Sequence, residues 1–125
     1  MGNFPRTYKD LIFWRKSFES AVLVIKLAKK LPRDLETKII LNQLLRSVMS
    51  VGANVAEGYG RFGPKEFPRY LQISLGSANE TENWLLLLKE CHPKFNKEIE
   101  KIIEKNNEVI RMLAASIQTI KNKVK

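Results

Sequence analysis

The chain has 125 residues, enough for one domain with a respectable core, and 44% hydrophobic with 28% charged side chains favours a soluble globular class over disorder. Twenty-two basic against 13 acidic residues leave a formal charge of +9, an excess that invites polyanions, nucleic acid first. No apolar run approaches the roughly 20 residues a bilayer span needs, the start MGNFPRTYKD lacks a signal peptide's apolar stretch, and the single cysteine, Cys91, excludes an internal disulfide, so no membrane association and a cytoplasmic location are expected.

Residues 8–30 are predicted to form a first helix, because Leu11, Trp14, Phe18, Ala21, Ile25 and Ala28 recur at the three- and four-residue steps of one helical face. Pro32 ends it and Asp34 is placed to cap the next. The second helix runs from Leu35 to about Glu57 on a stripe of Leu41, Leu44, Val48, Val51 and Val55. GYGRFG follows, matching G-x-G-x-x-G letter for letter. That fingerprint cradles phosphate only after a strand, and here a helix precedes it. The segment is expected to be a turn whose glycines take positive backbone angles.

Pro64 suits the first position of a third helix that reaches about Glu90, with Phe67, Leu71, Ala78, Leu85 and Leu88 on its apolar face. Pro93 breaks the chain again. In the fourth helix Ile99, Ile103, Asn106, Ile110, Leu113, Ile117, Ile120 and Val124 follow a heptad seam with one polar interruption. Asn106 either fixes register or oligomer state, or lies at an exposed edge of the seam. With no sustained strand alternation and only short loops, the expectation is one all-α domain over residues 1–125, an antiparallel up-down-up-down four-helix bundle.

A second stripe runs beside the core of the middle hairpin. Ser47, Ser50, Asn54, Glu57 and Arg61 on the second helix face Tyr70, Ile73, Ser77, Glu80, Trp84 and Leu87 on the third. Folding about residues 61–62 puts Ser50 level with Ile73 and Arg46 level with Ser77, from where Arg46 reaches Glu80; Glu57 and Arg61 fall near Glu66 and Arg69. Arg46, Ser50, Asn54, Glu57, Arg61, Ser77 and Glu80 are therefore candidates for an oligomer interface or for structural polar contacts within the bundle. Glu57 and Glu80 lie some twenty ångströms apart along the bundle by helical rise, too far to share a substrate bond.

The charge is uneven. Residues 1–30 carry seven basic and two acidic side chains, residues 93–125 eight and four, and residues 31–92 seven of each. In an up-down bundle the first and fourth helices are neighbours, so the excess falls on one side. Lys9, Arg15, Lys16, Lys97, Lys101 and Lys105 are the candidate phosphate contacts. The plain alternative is a solvated face, with Lys101 and Lys105 supported by Glu104 and Glu108 three residues on. No nucleophile–base pair, metal cluster or cofactor motif emerges, since the only histidine, His92, sits beside Cys91 on a helix end. No catalysis, metal or cofactor is expected.

The stretches SVGANVAEGYGR and GPKEFPRYLQISLGSANETE resemble the four helix bundle proteins, a family that includes open reading frames within ribosomal RNA intervening sequences and relatives of the accessory variability determinant of diversity-generating retroelements. The resemblance extends from YKDLIFWRKS to the last helix. Its most specific strings are Asn54, Ala56, Glu57 and Gly58, then Gly76, Ser77, Ala78, Glu80 and Glu82. Gly63 and Trp84 depart from the family pattern. The resemblance implies a homopentameric ring with a basic surface and no catalysis. In the retroelement members it implies a reverse transcriptase as partner and RNA or cDNA as ligand. The alternative it implies is an intervening-sequence protein acting as a structural or regulatory interaction module.

Overall fold

The computed structural model describes residues 6–61 and 66–124. Four helices carry the fold: α1 Ile12–Ala28, α2 Leu35–Tyr59, α3 Glu66–Cys91 and α4 Asn96–Val124, with short 3-10 turns at Tyr8–Asp10 and Pro93–Phe95. Each helix packs against its chain neighbours, and α1 also packs against α4, while among the described residues the backbones of the diagonal pairs stay apart. The result is the up-down-up-down bundle, with α2 against α3 as its most extensive contact.

The helices start and stop for local reasons. Thr7 and Asp10 form a capping box around the first 3-10 turn, and Leu11 is extended, so the predicted helix over 8–30 divides into that turn and α1. Asp34 caps α2 as expected, its Oδ1 accepting from the Thr37 amide at 2.9 Å. Helix α2 runs two residues beyond the expected end. Gly58 lies inside it, and Gly60 has a right-handed φ of −74°. The expectation of positive backbone angles fails at both positions. The sequence needs Gly58 because α3 comes close: a Cβ there would lie 2.4 Å from Tyr70 Cβ. Pro64 and Gly63, expected at the start of α3, lie outside the described residues.

The core stripe of α1 is one residue away from the predicted one. Phe13, Ser17, Ser20, Val24 and Leu27 are buried, whereas Phe18 is 55% exposed. Trp14, Ala21, Ile25 and Ala28 instead pack at the margins, on the flank toward α2. In α4 the seam drifts in the same way: Ile102 and Val109 are buried where Ile103 and Ile110 were expected, and Ile99, Asn106, Leu113 and Ile117 hold.

The core falls into two apolar clusters. One contains Val24, Leu27, Leu44, Leu85, Leu88 and Ile99, the other Phe13, Val55, Leu71, Leu113 and Ile117. Each fully buried leucine or isoleucine contributes about 1.5–3 kcal/mol relative to exposure. Between the clusters each helix places a buried polar side chain, Ser20, Ser47, Thr81 and Asn106. Asn106 is 1% exposed, and its Nδ2 donates to the Ala78 carbonyl at 2.9 Å. The exposed-edge alternative for Asn106 is thereby excluded.

Candidate functional site

Two surfaces assemble the residues singled out by sequence. The first is the α2–α3 flank. Ser50 Oγ meets Ser77 Oγ at 3.0 Å, and Asn54 Nδ2 donates to both the carbonyl and the hydroxyl of Ser50 at 2.9 Å. Arg46 forms an ion pair with Glu80 across the two helices, and Trp84 Nε1 donates to the same carboxylate oxygen at 3.0 Å. Glu57 pairs with Arg61, just past the end of α2, at 2.7 Å. This bond raises the pKa of the Arg61 guanidinium, which also lies over the Tyr70 ring.

These contacts set the hairpin register one turn later than expected. Ser50 faces Ser77 rather than Ile73, because α2 continues through Tyr59 and α3 begins only at Glu66. Beneath the flank, Thr81 Oγ1 donates to Ser47 Oγ at 2.9 Å and Ser74 Oγ to the Val51 carbonyl at 2.8 Å. Sequence reasoning missed Ser74 and Thr81. Their signal was seven-residue spacing centred on the predicted core positions of α3. The flank holds polar groups that already satisfy one another. Among the described residues no three His, Cys, Asp or Glu side chains gather as metal ligands. Glu57 and Glu80 have separate basic partners.

The second surface is the α1–α4 side. Lys16 bridges to Glu108 at 2.8 Å, Lys105 to Glu19 at 3.5 Å and Lys30 to Glu98 at 2.6 Å. The Lys16–Glu108 hydrogen bond raises the lysine pKa and lowers that of the carboxylate. Glu108 thus serves α1 rather than Lys105 three residues before it. Two of the six candidate phosphate contacts, Lys16 and Lys105, are committed to this seam. The other four, Lys9, Arg15, Lys97 and Lys101, are exposed and form no ion pair among the described residues. Lys26 on α1 and Lys29 just past its end share that condition.

His92 has a structural partner: its Nε2 lies 2.9 Å from Thr37 Oγ1, tying the α3–α4 connection to the start of α2. Cys91 is exposed and free. No helix among the described residues is long and apolar enough to cross a membrane.

Against known proteins, the chain is similar over 85% of its length to a protein of unknown function from the S23 ribosomal protein family of Bacteroides thetaiotaomicron. The two are 33% identical, with a TM-score of 0.78 and 98% of that chain covered. No curated protein matches. The family model described as 23S rRNA-intervening sequence protein matches residues 9–115, the stretch that holds the capped hairpin and both surfaces. The chain belongs to the 23S rRNA-intervening sequence protein family.

Proposed function

We propose that this protein is a non-catalytic, self-associating scaffold that binds nucleic acid through the cations of α1 and α4. One observation carries the reading. After the seam pairs have neutralised Lys16, Lys30 and Lys105, exposed Lys9, Arg15, Lys26, Lys29, Lys97 and Lys101 stay without acidic partners among the described residues. Diffuse cations of this kind contact phosphates and not bases, so the binding is weakly sequence-specific. RNA is the nucleic acid that the resemblance to the retroelement members implies.

Self-association draws on the α2–α3 flank. Ile39, Ile73 and Leu87 are 54%, 44% and 41% exposed around the Arg46–Glu80 pair, an apolar rim that a second copy would cover. A ring of five is the form the family resemblance implies. The narrower role of accessory to a reverse transcriptase rests on the same resemblance, and a reverse-transcriptase gene beside the coding sequence would favour it. A protein-interaction module without nucleic-acid binding is the competing reading.

The test is binding of a structured RNA across a salt series. Affinity that falls steeply and log-linearly with salt supports the proposal. Absent or salt-insensitive binding rejects it in favour of the interaction module.

A further inference from the structure

Helix α1 presents an outward aromatic ridge whose outer end neither the core nor the seam uses. Trp14 and Phe18, one turn apart, have ring centroids 5.1 Å apart at 32°, and Tyr8 packs edge-on against Trp14 at 5.1 Å. The three rings make a continuous column, and its outer member, Phe18, is 55% exposed. An apolar groove between α1 and α2 runs along this column, and no acidic side chain lines it among the described residues. Exposed Arg15 precedes Phe18 on the ridge, and exposed Lys26 and Lys29 follow it. Arg15 and Lys26 are about 16 Å apart by helical rise. Glu19 lies beside Phe18 and Arg15 at the edge toward α4, where it pairs with Lys105 at 3.5 Å, and Arg15 donates to the Asp10 carbonyl.

An open aromatic face bracketed by cations is the combination that binds single strands: rings accept any unstacked base, and cations track the backbone. Duplex RNA keeps its bases stacked and offers phosphates and 2′-hydroxyls but no free base faces. We infer that the Phe18 end of this ridge is a base-stacking platform for single-stranded nucleic acid, with Arg15, Lys26 and Lys29 holding the phosphates. The inference rests on the nucleic-acid reading above and assigns it a site and a strand preference.

The experiment measures fluorescence anisotropy of a labelled 12-nucleotide oligouridylate and of a duplex RNA of equal length, over a salt series. Phe18→Ala is expected to weaken the single strand about tenfold, leave duplex binding as in the wild type, and keep the salt slope. Phe18→Trp is expected to restore single-strand affinity. Arg15→Gln is expected to reduce the single-strand salt slope by about 0.7. Equal binding by Phe18→Ala and wild type overturns the platform while leaving general polyanion binding intact. Failure of the wild type to bind either RNA overturns both. If Phe18→Ala instead lowers the mass measured by light scattering, a second copy covers the ridge and the inference is wrong.

Discussion

At Gly58 there is no room for a methyl group. The added carbon would sit 2.4 Å from Tyr70 Cβ, which is fixed to the α3 backbone and unable to swing aside, and 3.3 Å from Phe67 Cδ1. Overpacking costs about 1–3 kcal/mol, against which alanine regains up to about 1 kcal/mol of helix propensity. Gly58→Ala is therefore expected to lower unfolding free energy by about 1–2 kcal/mol in urea denaturation, and an unchanged midpoint would show that α2 and α3 can part without cost. Ser20 presents the reverse case. It is 1% exposed, and its hydroxyl has no hydrogen-bond partner among the described residues. A buried donor without a partner carries a desolvation penalty that its removal relieves. Ser20→Ala is expected to raise unfolding free energy by about 0.5–1.5 kcal/mol, measured in the same titration.

Within single elements, local chemistry was easier to read than which face turns inward. Asp34 illustrates the readable part: proline before it and an apolar stripe after it mark a helix start, and the cap is formed. The hydrogen bond from the Thr37 backbone N–H holds the Asp34 carboxyl below the usual aspartate range. A lowered folded-state pKa gives stability that is present above the unfolded pKa and lost as pH falls through the folded one. Asp34→Ala is thus expected to melt earlier than wild type at neutral pH, with the difference closing below pH about 4; a constant difference by circular dichroism would exclude the charged cap. The face of α1 shows what was not readable. Ser17 and Ser20 occupy its buried positions while Trp14 and Phe18 stand one step outward, so a reading by hydrophobicity follows the wrong stripe. The hydroxyl of Ser17 satisfies itself on the Trp14 carbonyl at 2.7 Å, which makes it an inexpensive core residue. In the α2–α3 hairpin one partnership was legible and the register was not: Arg46 was matched to Glu80, but Ser50 was matched to Ile73 and meets Ser77, because the position of the reversal depends on how far α2 runs, which propensity does not determine. The buried Thr81–Ser47 hydrogen bond then fixes that register, and the Asn106 bond to the Ala78 carbonyl fixes that of α4 on α3, choices that apolar side chains would not make.

For the whole molecule, charge and the proposed assembly pull in opposite directions. Copies carrying +9 repel one another, and the proposed association has to overcome that repulsion through apolar contact. Salt screens charges beyond a Debye length of about 10 Å at 0.1 M but leaves apolar burial intact or strengthens it. Polyanion binding has the opposite sign, because each phosphate contact releases counterions and weakens as salt rises. A protein of the proposed kind should therefore tighten as an assembly and loosen on RNA over one salt series. Leu87→Gln removes one member of the exposed apolar rim without changing charge, and as the side chain is 41% exposed the fold should tolerate it. That variant is expected to shift light-scattering mass toward the 14.4 kDa protomer while each protomer keeps its cations and the same steep salt dependence on RNA. Mass that falls with added salt would mean that charge pairing, not the apolar rim, joins the copies. Leu87→Gln with the wild-type mass would place the interface on another face of the bundle.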